Sequence, residues 1–122
     1  MAFKEILKSL VDRVDGAEGA VMADYDGEPV AEAIGVGSPF DRYGIQLLGA
    51  HIRATLHRWE DLHERIPAHK PRTLCIRAQE RTLLIYILND RYFVLLAVRN
   101  SYGLSTAEHD LEIFGERIAQ EM

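Results

Sequence analysis

Phe3, Ile6, Leu7, Leu10, Val11 and Val14 recur at the helical period near the start of the chain, with Lys4, Glu5, Lys8, Asp12 and Arg13 between them. The spacing predicts an amphipathic helix over Ala2–Val14. Asp15-Gly16 ends it, because glycine accepts the left-handed conformation past a helix terminus. Ala17–Asp24 and Glu28–Gly35 then read as two strands around Tyr25-Asp26-Gly27, a hairpin signal in which Asp-Gly tolerates positive φ. Gly19, Ala20, Ala23, Ala31 and Ala33 make both strands narrow enough for a helix to lie close.

Gly35-Val36-Gly37 is a flexible link. Ser38-Pro39-Phe40-Asp41 opens a long helix running to about Arg65, with Ser38 as the expected cap and Pro39 at the first helical position. Three more strands follow at Arg72–Ala78, Thr82–Leu88 and Arg91–Arg99. Leu83–Leu88 and Tyr92–Val98 are continuous apolar runs, the pattern of strands buried on both faces. The sheet therefore needs cover on both sides. A last helix is expected over Ser105–Met122, with Ser105 and Glu108 as a capping box. The order is α-β-β-α-β-β-β-α, an α/β (α+β) domain with a five-stranded, mixed but mostly antiparallel sheet between helices.

The long middle helix carries too much apolar surface. Laid out at about 100° per residue, its apolar positions fill an arc of roughly 200°, whereas packing on one sheet needs little more than about 100°. Loops or a second copy of the helix must cover the surplus. The second-copy reading places Ile45, Ile52, Leu56 and Trp59 at a two-fold seam, and makes Thr73, Cys75 and Arg77 of the next strand an edge that pairs with its own symmetry mate. His51 falls within the same arc and is expected to be packed or at the seam.

The 122 residues suit a single domain spanning 1–122, with enough apolar material for a core. Cys75 is the one cysteine, so neither an internal disulfide nor a Cys-based zinc cage is available, and a reducing, cytoplasmic setting is expected. The net charge of −5, with interspersed signs, disfavours nucleic-acid phosphates and anionic membranes, and no apolar run is long enough to span a bilayer. Walker, nucleophile-elbow and zincin motifs are missing. Glu60-x-x-His63 is half of a di-iron pattern that needs two such pairs, so no metal and no cofactor is expected.

Three blocks carry a resemblance: Asp15-Gly16-Ala17-Glu18-Gly19-Ala20, Ala23-Asp24-Tyr25-Asp26-Gly27-Glu28-Pro29-Val30-Ala31, and Asn89 through Val98 followed by Gly103-Leu104 and a helix. Together with the element order, they are similar to the roadblock/light-chain domain family, which includes dynein-associated light chains and MglB-type bacterial regulators of a Ras-like GTPase. The resemblance implies a profilin-like roadblock fold and a homodimer whose sheets join edge to edge. It also implies a non-catalytic role, docking a small Ras-like GTPase or serving as a subunit of a larger complex. Carried over by position on the middle helix, the partner-binding surface would comprise Arg42, Gln46, Arg53, His57, Glu60 and Glu64. Ser105-Thr106-Ala107 departs from the turn that many relatives show after Gly-Leu, which leaves the subfamily open. The alternative is a purely structural scaffold subunit with no nucleotide dependence. A catalytic α/β domain is disfavoured, since no convergent polar set is visible.

Overall fold

The computed structural model describes residues 3–65 and 72–122, and for residues 59, 60 and 62–65 the main chain alone. Along the chain come α1 (Phe3–Arg13), β1 (Ala17–Asp24), β2 (Pro29–Ile34), α2 (Arg42–Arg65), β3 (Thr73–Arg77), β4 (Arg81–Ile87), β5 (Tyr92–Arg99) and α3 (Ser105–Gln120). The strands form one sheet in the order β2-β1-β5-β4-β3. Every neighbouring pair is antiparallel. The expected mixed sheet is thus corrected: among the described residues no parallel pair occurs. Spatial order, which periodicity does not carry, decides this.

The sheet is covered on both faces, and the side chains sort by the two-residue period of the strands. Ala20, Met22, Leu84, Tyr86, Val94, Leu96 and Val98 face α1 and α3. Val21, Ala23, Leu83, Ile85, Phe93, Leu95 and Ala97 face the α2 side. The continuous apolar runs of β4 and β5 are therefore buried on both faces, as their composition requires. In the β1–β2 turn, the Asp24 Oδ1 accepts from the main-chain N–H groups of Asp26 (3.0 Å) and Glu28 (2.9 Å). Gly27 takes φ +90° there, a conformation that favours glycine.

Two helix starts differ from expectation. Asp41, rather than Ser38, caps α2: its Oδ1 accepts from the N–H of Gly44 at 2.7 Å. The Ser38 hydroxyl is spent earlier, accepting from the N–H of Phe40 at 3.0 Å. The capping box at Ser105 does not form. Ser105 is already helical, Leu104 occupies the cap position, and no side chain caps the helix.

Tyr86 packs its ring in the α1/α3 layer against Gly115, where a Cβ would come within 2.5 Å of the ring. Burial, aided by Glu116 and Glu112 and opposed by Arg72, raises its phenol above the ordinary 10. A raised phenol favours the protonated, folded form. Its contribution is whole below pH 10 and is lost as pH rises from there through the folded-state value. Urea midpoints should accordingly fall on the alkaline side in the wild type, and Tyr86→Phe should flatten that slope; equal slopes would refute the assignment.

Candidate functional site

α2 organises the candidate surface because β1 lets it lie close. A Cβ on Gly19 would come 3.2 Å from the Ile45 Cδ1, and one on Gly49 would come 3.0 Å from a Val21 methyl. Ile45, Ile52 and Leu56 point down into this contact and are buried within the single chain. With at most 7% of their surface exposed, these three offer a partner helix little to meet, which sets them in the chain's own core rather than at the expected seam. They are the core stripe of α2, each adding about 1.5–3 kcal/mol of burial. The side chain of Trp59, the fourth expected seam residue, lies outside the described residues. His51 is exposed and not packed.

The polar stripe of α2 has a definite local role. Arg42 ion-pairs with Glu32 of β2, and the Gln46 amide donates to the same carboxylate at 3.2 Å. Further along, the Arg53 guanidinium donates to the carbonyl of Asp26 at 3.1 Å, and His57 Nε2 lies 3.0 Å from the carbonyl of Tyr25. All four reach back to β2 and the β1–β2 turn, and so latch one flank of the helix to the hairpin. The side chains of Glu60 and Glu64 lie outside the described residues. The outward crest of α2 is instead partly apolar, with Tyr43 and Leu47 exposed.

β3 ends the sheet, as its sequence suggests. Its hydrogen bonding fixes which groups are available. The N–H of Ile87 donates to the carbonyl of Arg72, and the N–H of Ala78 donates to that of Arg81. Antiparallel pairs alternate, so Leu74 and Ile76 direct their main-chain groups at β4. Thr73, Cys75 and Arg77 direct theirs outward. Cys75 is exposed. On the α2 face, Leu48, Leu74 and Ile76 are half-buried at the margin of the core.

A buried ion pair escapes sequence reading. The Glu18 carboxylate is almost wholly enclosed, and its Oε1 accepts from Arg81 Nε at 2.7 Å. Among the described residues its Oε2 has no hydrogen-bond partner. The Arg81 guanidinium also lies 5.1 Å from the centre of the Phe40 ring, in the segment leading into α2. β1 shifts register against β5 between Ala17 and Gly19, and this bulge accommodates Glu18 ahead of the apolar run Ala20–Ala23. The pair is separated by 63 positions in sequence, so the one available signal was an acidic residue beside Gly19.

Among the described residues no group of three or more His, Cys, Asp or Glu side chains is placed to hold a metal ion. Nor is any described helix long and apolar enough to cross a membrane.

No family model matches the sequence, and no curated protein matches it. Solved structures do. A roadblock/LC7 domain from Streptomyces avermitilis superposes with a TM-score of 0.84 at 11% identity, over 97% of this chain and 95% of that one. The chain has the roadblock/LC7 fold. Myxococcus xanthus MglB shares this fold with it at a TM-score of 0.85 and 11% identity, over 98% and 94% of the two chains. Profilin IA of Acanthamoeba castellanii is more distant, at a TM-score of 0.64 and 8% identity over 98% of each chain, which bears out the profilin-like description. At such identities the roadblock/LC7 likeness concerns the path of the chain and not its side chains.

Proposed function

We propose that the chain is a non-catalytic homodimeric adaptor whose paired platform binds a small Ras-like GTPase in the cytoplasm. The observation that carries this reading is the β3 edge. It presents the main-chain groups of Thr73, Cys75 and Arg77, and its own Leu74 and Ile76 are half-buried on one face. Pairing of two such edges about a two-fold axis extends the sheet from one copy into the next and sets both α2 helices on the same side. Their exposed crests, with Tyr43, Leu47 and His51, then form one broad surface for a partner. The roadblock/LC7 fold and the sequence resemblance to MglB-type regulators support the choice of partner.

If the dimer stimulates GTP hydrolysis, it does so by repositioning the GTPase's own groups. Arg42 and Arg53, the two arginines of the expected partner-binding surface, could otherwise serve as an arginine finger, but they are already engaged with Glu32 and the Asp26 carbonyl. That same engagement is what favours the second reading, a structural subunit with no nucleotide dependence.

The test is capture of partners on the immobilised protein with a non-hydrolysable GTP analogue and, in parallel, with GDP. A small GTPase retained with the analogue alone is expected, and Arg42→Ala/Arg53→Ala should leave any stimulation of its hydrolysis intact. Identical partners under both nucleotides, with no GTPase among them, would establish the structural-subunit reading instead.

A further inference from the structure

We propose that the outer edge of β2 is a docking site for an extended acidic segment of a partner protein, which joins the sheet as a further strand beside β2. The proposal does not depend on dimerisation or on a GTPase, since β2 lies at the opposite end of the sheet from β3.

Hydrogen bonding again shows which groups are free. The N–H of Gly35 donates to the carbonyl of Glu18, and Ala33 and Ala31 stand opposite Ala20 and Met22. By antiparallel alternation, Ala31 and Ala33 bond to β1, and Glu32 and Ile34 turn their N–H and C=O groups outward. An added strand would be held by those groups, with side-chain recognition on either side.

The edge lies in a groove. Lys4 and Lys8 of α1 border it on one side, and Arg42 of α2 on the other. Two adjoining cavities, of about 330 and 230 Å3, open between them and share Lys4, Glu32 and Arg42 in their walls. Val30 and Ile34 of the strand are 46% and 38% exposed, so the floor offers apolar contact as well as main-chain bonds.

Charge selects the occupant. The chain as a whole carries −5, yet this rim is cationic. The acidic residue within it, Glu32, is occupied by Arg42 and Gln46. Neither lysine has an acidic partner among the described residues. Arg42 and Glu32 offset each other, so a second copy presenting its own β2 edge would bring two further lysines against these two. An extended segment alternating carboxylates with apolar residues supplies opposite charge to the rim and small apolar groups to Val30 and Ile34.

The probe is a fluorescein-labelled peptide alternating glutamate and valine, with its lysine–valine counterpart as control, followed by anisotropy on the full chain at low and physiological salt. The glutamate peptide is expected to bind more tightly at low salt and the lysine peptide not to bind. Lys4→Glu/Lys8→Glu, both at exposed positions, should weaken binding about tenfold. Ile34→Pro removes an outward N–H while leaving the β1 ladder paired, and should abolish binding. In hydrogen exchange, the peptide should protect the amides of Glu32 and Ile34 in the wild type.

Binding that persists in both variants would place the peptide elsewhere and overturn the proposal, as would equal affinity for the two peptides. Failure of the wild type to bind, with the double lysine variant self-associating, would make the lysines guards that keep other copies off the edge. That result too would overturn it.

Discussion

Arg81→Met should lower the stability of the domain by about 3 kcal/mol, close to the cost of stranding a buried charge. Glu18 is nearly inaccessible, and among the described residues Arg81 supplies the one hydrogen bond to its carboxylate. With the guanidinium gone, the carboxylate is left in a poorly solvated place without its charge partner. Arg81 is itself partly exposed, at 28% of its side chain, which holds the expected loss to the lower end of the range for buried pairs. The burial of Glu18 lifts the loss above the roughly 0–1 kcal/mol of a surface pair. The close approach of the Arg81 guanidinium to the Phe40 ring goes as well, loosening the segment that leads into α2.

Urea unfolding measures this directly, and the midpoint should fall by about 1–3 M for a protein of this size. Glu18→Met/Arg81→Met should recover most of the loss, because an apolar pair leaves no uncompensated charge. The guanidinium is held protonated by that same carboxylate, which raises its already high pKa further, so no protonation change in Arg81 enters the comparison. A loss below about 1 kcal/mol in the single variant would mean that water reaches Glu18 and that the pair behaves as a surface one.

The two layers of the core were legible because they rest on composition alone. β4 and β5 are apolar at consecutive positions, and only burial on both faces accommodates that. Small residues in β1 and β2 likewise announced the close approach of a helix, which Gly19 and Gly49 now account for by distance. The role of each α2 residue was not legible. A helical wheel shows the width of an apolar arc, but not which part of it meets the chain's own sheet. The arc alone therefore does not separate Ile45, Ile52 and Leu56, which pack on the chain's own sheet, from Leu48, which is left at the margin.

The polar flank shows the converse. Arg42, Gln46, Arg53 and His57 looked like a free stripe, yet each has an acceptor on β2 or the hairpin that only tertiary structure brings near. The caps failed for a local reason. Ser38 and Asp41 are both competent, and Asp41 stands at the position from which its carboxylate reaches the N–H of Gly44. Lys4 and Lys8 appeared in the sequence as the solvent face of a helix, and the groove they border exists only once β2 lies beside α1.

The β3 edge yields the other large expected effect, a covalent dimer through Cys75. Thr73–Arg77 is five residues long, and Cys75 is its midpoint. Its main-chain groups point away from β4, so in a symmetric antiparallel pairing centred on the strand the two Cys75 residues stand opposite as a hydrogen-bonded pair. Their Cα atoms would then be about 5.5 Å apart. That separation lies inside the range of roughly 4.4–6.8 Å that a disulfide spans. A two-fold axis perpendicular to the sheet keeps both side chains on one face, and each is exposed. Mild oxidation should therefore convert most of the protein to a covalent dimer on a non-reducing gel, whereas Cys75→Ala should stay monomeric on the same gel. Pairing centred on Cys75 also sets Thr73 against Arg77 of the second copy. In a Cys75→Ala background, Thr73→Cys and Arg77→Cys proteins should each resist linkage alone and link when mixed. Linkage of the Thr73→Cys protein to itself would move the axis along the strand. Sedimentation of the reduced wild type as a monomer, with slow and unselective oxidation, would leave β3 without a mate and remove the platform on which the adaptor reading stands.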